Sequence, residues 1–256
     1  MNKVQDFIFN QQSLAFYSSC PLKFCKCCLE GLRLNSRETL PQAKRESLER
    51  GTRFHLEAER YFNGILLSEV RDRALDGWLS NLKSCFADLS ADGRPEYQVF
   101  AYEFDCCLTA KYDLLVYRGG KVFIYDWKTN RYPLVQDKLL ASWQTCLYRY
   151  LAVRVSREIF GEAVLPEQVT MIYWNPNYPE KKIELPYSEQ QFLIDRTKIK
   201  DILSEINQAG EFPPINNKSC TGCEYRLFCQ KKAAVDLMDE DDFFPDLAAV
   251  EVSAFP

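Results

Sequence analysis

The chain has 256 residues, 46% of them hydrophobic and 27% charged, with a net charge of −4 and eleven cysteines. This is an ordinary globular composition with enough chain for a sizeable core, and no apolar run approaches the ~18 residues that a membrane helix needs. The opening MNKVQDFIFNQQ has no apolar signal-peptide segment, so the sequence predicts a cytoplasmic protein, where grouped cysteines point to metal or redox chemistry rather than disulfides.

Ser13 is placed to cap a short helix running to Ser19. A second helix, about 44–62, puts Leu48, Gly51, His55, Ala58 and Phe62 on one face, and a third is expected over 69–88. Three strands follow at 97–107, 110–117 and 121–128. Leu139, Leu140, Trp143, Cys146, Leu147, Tyr150 and Leu151 form the stripe of one long helix that ends before Gly161. VTMIYW (169–174) reads as another strand. Ser188 and Gln191 suit a capping box for a last helix, with Phe192, Ile199, Ile202, Leu203 and Ile206 inward and Gly210 at its end. Helix, three strands, helix, strand is an α/β pattern with a mixed sheet. From Asp236 onward there are seven acids and no Lys or Arg, and taking those seven charges from −4 leaves +3 for the rest. Residues 236–256 are therefore read as a disordered acidic tail behind a domain spanning 1–235, whose own charge is compatible with a local basic groove.

Three charged residues stand inside an otherwise apolar hairpin, YDLLVYRGGKVFIYDWKT (112–129). With Gly119-Gly120 as a two-residue turn, Arg118 faces Lys121 and Asp113 falls opposite Asp126, with Cβ atoms about 5 Å apart. Lys128 shares their face, while Tyr112, Leu114, Val116, Phe123, Tyr125 and Trp127 make the other. Like charges opposite one another on a sheet are destabilising unless they share a proton or hold a cation. Oxygen ligands suit a hard divalent ion, and Mg²⁺ typically takes one or two carboxylates together with phosphate and water. The plainer alternative is a surface hairpin on which Lys128 neutralises the acids, and a bulged turn would shift the register.

These residues resemble the active-site hairpin of the PD-(D/E)XK nuclease superfamily, with Asp113, Asp126 and Lys128 as its D…D-x-K. GTRFHLEAE (51–59) is similar to the metal-binding helix of the RecB-like branch, which implies His55, the only histidine, as a metal ligand with Asp113 and Asp126. The alternative for a lone histidine is a hydrogen-bonded core residue. Glu59, one turn on, and Glu103 on the preceding strand are further candidates, Glu103 the weaker. QTCLY (144–148) resembles the Q-x-x-x-Y motif of that branch, which places Gln144 and Tyr148 beside the DNA strand; otherwise they are an ordinary polar edge of the helix.

Cys220-x2-Cys223-x5-Cys229 is a compact chelating loop, and soft sulfur ligands suit an iron–sulfur cluster or zinc. With CPLKF (20–24) it resembles the cysteine set of the iron–sulfur nucleases, which implies Cys20 as the fourth ligand of a 4Fe–4S cluster joining the N- and C-terminal segments. Cys25, Cys27 and Cys28 are alternatives to Cys20, and structural Zn²⁺ is the alternative to the cluster. Cys85, Cys106, Cys107 and Cys146 read as core packing.

The resemblance implies a PD-(D/E)XK core, an α/β fold whose mixed β-sheet is flanked by helices. It implies a Mg²⁺- or Mn²⁺-dependent deoxyribonuclease, an exonuclease on single-stranded DNA or DNA ends, serving DNA repair and recombination or CRISPR adaptation. DNA is the expected partner, and any helicase, repair or CRISPR subunit is another chain. One departure is Ala110, where the family usually has glycine three residues before the first acid. It leaves open a catalytically impaired DNA-binding or assembly subunit, beside an RNA or nucleotide phosphodiesterase using the same site.

Overall fold

The computed structural model describes residues 4, 6–32, 40–67, 72–89, 92–215, 220 and 223–229, and the acidic tail lies outside them. Six strands form one mixed sheet: β1 (Ile8–Phe9), β2 (Gly93–Glu103), β3 (Cys106–Arg118), β4 (Lys121–Trp127), β5 (Val169–Trp174) and β6 (Lys182–Pro186). The order is β1-β3-β4-β5-β6, with β2 paired to β3 off that path. β2 runs antiparallel along one edge of β3, from Gly93↔Val116 to Glu103↔Cys106. The other edge of β3 is divided: β1 pairs in parallel with Cys107 and Leu108, and β4 pairs antiparallel with residues 114–118. Asp113 falls where that edge changes partner.

The helices are α1 (Gln11–Ser19), α2 (Pro21–Phe24), α3 (Gln42–Phe62), α4 (Arg73–Phe86), α5 (Gln136–Leu140), α6 (Trp143–Arg154), α7 (Ser156–Phe160) and α8 (Glu189–Gln208). One face of the sheet packs against α1, α6 and α8 around Leu14, Leu108, Tyr112, Leu147, Tyr150 and Leu203. The other packs against α3 and α4 through an aromatic layer of Phe54, Phe62, Trp78, Phe86, Trp127 and Trp174. β4 and β5, in parallel and buried on both faces, are continuous apolar runs for that reason.

The structure corrects several sequence expectations. The strand expected over 97–107 turns back at Phe104-Asp105, both with positive φ (53° and 60°), which is the backbone of a tight hairpin turn built without glycine. The cap of α1 is Asn10, and Ser13 is its reciprocal partner three residues on. The single long helix expected before Gly161 is broken into α5, α6 and α7: Ser142 leaves the helix and its hydroxyl caps the Thr145 N–H at 3.1 Å, and Val155 leaves helical geometry between α6 and α7. At α8 Ser188 caps as expected, whereas the Gln191 side chain reaches forward to Asp195 at 2.9 Å. Asp195 also accepts the Tyr187 hydroxyl at 2.9 Å and pairs with Arg149 of α6 at 3.3 Å. Both charges are almost fully buried, and breaking such a pair typically costs about 3–5 kcal/mol. This pair holds α6 against α8 and so fixes the helix that carries Gln144 and Tyr148.

Candidate active site

The β3–β4 ladder keeps the expected register, from Arg118↔Lys121 to Leu114↔Tyr125. One step further the main-chain pairing stops, and the Asp113 side chain takes over: its Oδ2 accepts the Trp127 backbone N–H at 2.6 Å. Glu96, opposite Asp113 on β2, has a positive φ of 49°. The side-chain alternation of β3 breaks at this pair. Leu114, Val116, Phe123, Tyr125 and Trp127 line the α3–α4 face as expected, but Tyr112 turns to the other side and donates its hydroxyl to the Tyr148 carbonyl at 3.1 Å.

His55 reaches the same point from α3, with Nδ1 3.3 Å from Asp113 Oδ1. Glu96 joins them, so that ligand atoms of His55, Glu96 and Asp113 all lie within 4.8 Å of one another. Glu96 is held by Lys111, whose Nζ lies 2.8 Å from Oε2. Glu96 was missed from the sequence although the same cross-strand reasoning would have paired it with Asp113; it needs the Phe104-Asp105 turn, which has no glycine to mark it. Of the two acids considered instead, Glu59 is outside this group. Glu103 accepts the Tyr150 hydroxyl at 3.0 Å and pairs with Arg154 at 2.7 Å.

Asp126 and Lys128 sit beside this cluster, both almost fully buried. Lys128 Nζ lies 2.9 Å from Asp126 Oδ1 and donates to Gln144 Oε1 at 2.9 Å, while Gln144 Nε2 donates to Asp126 Oδ2 at 2.5 Å. The amide of Gln144 thus bridges the acid and the base, which fixes both side chains. Tyr148, one turn on, is buried edge-to-face against Tyr112, and burial first, then the charges of Asp126 and Asp113, push its hydroxyl pKa upward. Neither Gln144 nor Tyr148 is an ordinary polar helix edge. Ala110 points its methyl into the core between sheet and helices, away from Glu96 and Asp113, so it places no bulk at the cluster.

The electrostatics match a cation site. Burial disfavours the charge on His55, but the Asp113 carboxylate outweighs it and carries the imidazole pKa up to about 9. Burial works against ionised Asp113 as well, yet His55 holds it below its ordinary value. Burial and then Asp113 push Glu96 up to about 7. His55 Nε2 is buried and has no hydrogen-bond partner among the described residues. An imidazole with one nitrogen on Asp113 and the other buried without a partner, clustered with the Glu96 and Asp113 carboxylates, is a donor set that fits a divalent ion once the ring loses its proton.

Cys20 of the N-terminal segment also lies near Cys220 and Cys223. Cys223 closes its loop by donating its N–H to the Cys220 carbonyl at 3.3 Å. Burial, and behind it the nearness of Cys20 and Cys220, pushes its thiol pKa up. Cys27 is turned instead to Cys28 and Tyr225, which hold it down at about 6, and the Cys25 thiol donates to Glu30 at 3.5 Å. The Tyr225 hydroxyl donates to the Leu32 carbonyl at 2.8 Å, which fastens the C-terminal loop to the N-terminal segment. Cys106 and Cys146 are buried, Cys85 and Cys107 half-buried.

Among solved structures, one described as "Putative exonuclease" from Eubacterium rectale superposes with a TM-score of 0.53 at 12% identity, over 92% of this chain and 93% of that one. A second, SSO0001, has a TM-score of 0.46 at 16% identity, over 90% of this chain and 89% of that one. No curated protein matches the sequence. The family model for PD-(D/E)XK nucleases matches residues 8–230, from β1 to the cysteine loop and so across every residue of the site, and the chain belongs to the PD-(D/E)XK nuclease superfamily.

Proposed function

We propose that the protein is a Mg²⁺- or Mn²⁺-dependent deoxyribonuclease of the RecB-like branch, acting as an exonuclease on single-stranded DNA or DNA ends. The observation that carries this reading is the junction of two groups: the His55–Glu96–Asp113 cluster and the Asp126–Lys128 pair bridged by Gln144. A divalent ion held by His55, Asp113 and Asp126, with Glu96 beside them, would lower the pKa of a bound water and offset charge on the scissile phosphate. Lys128 would orient that water or face the developing charge, and Gln144 would keep its ammonium from rotating away. Tyr148 is a packed support for this arrangement. Labelled single-stranded, duplex and circular DNA and RNA, each with Mg²⁺, Mn²⁺ or EDTA, test the reading. Linear single strands should be degraded only with metal, and closed circles should survive. Equal cleavage of RNA would favour a broader phosphodiesterase.

The ligand set predicts how metal binding depends on pH. Without metal, His55 keeps its proton until about pH 9 and Glu96 until about pH 7. A cation needs the imidazole lone pair and the free carboxylate, so binding must expel those protons. Mn²⁺ affinity should therefore rise from pH 6 to pH 9, and titration calorimetry in buffers of different ionisation enthalpy should detect proton release that shrinks towards pH 9. A flat profile would remove His55 and Glu96 from the ligand set.

Gln144 gives a separate expectation. Gln144→Leu leaves the Asp126–Lys128 pair without its bridge, and small misplacements of reacting groups can cost about 100-fold in rate. The loss should be roughly 10- to 100-fold in kcat with little change in KM, measured on a labelled single strand, and Gln144→Glu should not restore it.

We further propose a 4Fe–4S cluster on Cys20, Cys220, Cys223 and Cys229. The nearness of Cys20, Cys220 and Cys223 supports this, as does the contact of Cys27 with Cys28 and Tyr225. Structural Zn²⁺ remains the alternative occupant. Service in DNA repair or CRISPR adaptation, beside a partner subunit, is an extension of the nuclease reading.

A further inference from the structure

The face of β2 and β3 that bears Glu96 and Lys111 continues beyond the metal cluster as an open surface. Residues paired across an antiparallel ladder share a face, so Gln98 with Lys111, Phe100 with Thr109, and Tyr102 with Cys107 are successive steps leading away from Glu96. The opposite face at the same positions, Val99, Ala101 and Ala110, packs into the core. Two large rings on the outward face are left in solvent: Phe100 is 53% exposed and Tyr102 75%. At about 3.4 Å per residue, Phe100 lies roughly 14 Å and Tyr102 roughly 20 Å along the strand from Glu96, and the two are about 7 Å apart.

We infer that Phe100 and Tyr102 form a base-stacking track that leads a single strand to the His55–Glu96–Asp113 cluster. This rests on the nuclease reading and specifies its substrate path. The ring spacing is about twice the ~3.4 Å rise of a stacked strand, so an extended single strand can set one base on each ring while a duplex cannot. Exposed aromatics on an open sheet are a known way of holding unpaired bases without regard to sequence. The residues between the rings and the cluster favour a nucleic acid over an apolar protein partner. Gln98, which donates to Thr109 at 3.2 Å, and Lys111, whose ammonium is held on Glu96 at 2.8 Å, are polar and interrupt any continuous apolar patch.

The test is binding of fluorescent single-stranded oligonucleotides to the whole protein, with Ca²⁺ in place of Mg²⁺, read by anisotropy. Phe100→Ala/Tyr102→Ala should weaken binding by about 10- to 100-fold, whereas Phe100→Tyr/Tyr102→Phe, which keeps both rings, should bind as the wild type does. A pair of abasic sites walked along the oligonucleotide should weaken wild-type binding most at two to three nucleotides from the cleaved phosphate, and should cost the double alanine variant little. Unchanged affinity in the folded alanine variant overturns the track, as does an equal loss in the ring-keeping variant. If the alanine variant does not fold, the abasic walk on wild type decides, and a flat profile overturns the track. A wild type that binds and cuts single strands with no dependence on these rings leaves the nuclease reading standing, whereas a wild type that neither binds nor cuts them sinks both.

Discussion

Lys128→Ala is expected to lower cleavage of single-stranded DNA in Mn²⁺ by at least about 100-fold, the lower end of what a positioned proton-handling group contributes. Lys128 is not replaceable by a surface lysine. Its Nζ is held between Asp126 and Gln144 and lies 5.7 Å from the centre of the Tyr173 ring, so its position is set from three sides. The backbone at this residue is secured independently, through the Lys128 N–H to the Trp174 carbonyl at 2.8 Å, so the strand should survive the substitution. Asp126→Ala should be at least as damaging, because it also removes the acceptor that Gln144 and Lys128 share. Cleavage assays paired with thermal melts check both variants. Near wild-type turnover in either folded variant would remove Asp126 and Lys128 from the catalytic machinery.

The other large effect concerns the cysteines. Joining Cys20 to the 220–229 loop closes nearly the whole chain, so losing that link frees both ends at once. Loop-closure entropy grows slowly with length, and a long-loop crosslink is worth roughly 4–5 kcal/mol by analogy with disulfides. That is comparable to the whole stability of a marginal domain. Protein purified without oxygen should be brown, with about four iron and four sulfide per chain. Cys20→Ser should bleach it and make it protease-sensitive, whereas Cys25→Ser should not. Colourless anaerobic protein with one zinc would replace the cluster by a zinc site and leave the nuclease reading untouched. Bleaching by Cys25→Ser and not by Cys20→Ser would show that the fourth ligand is misassigned.

The β3–β4 hairpin was legible in the sequence from its turn as far as the Leu114–Tyr125 pair. Gly119-Gly120 can adopt the paired positive φ of a two-residue turn (60° and 73°), and from there the register follows by counting. The inward stripe of α8 was legible for the same kind of reason, since it is a relation between residues a few positions apart. What only the tertiary structure decided lies between elements. Glu96 entered the cluster through a turn made by Phe104 and Asp105, which no glycine or proline marks. The bridging role of Gln144 depends on where α6 sits, which the buried Arg149–Asp195 pair with α8 helps to fix. Tyr112 changed sides because the Glu96–Asp113 step leaves the regular ladder, with Glu96 at positive φ and the Asp113 carboxylate taking the Trp127 N–H. Periodicity encodes which face a residue prefers within one element. The choice of which acids from separate strands and helices surround one point is made by how α3 packs on β2 and β3, and no local pattern carries that information.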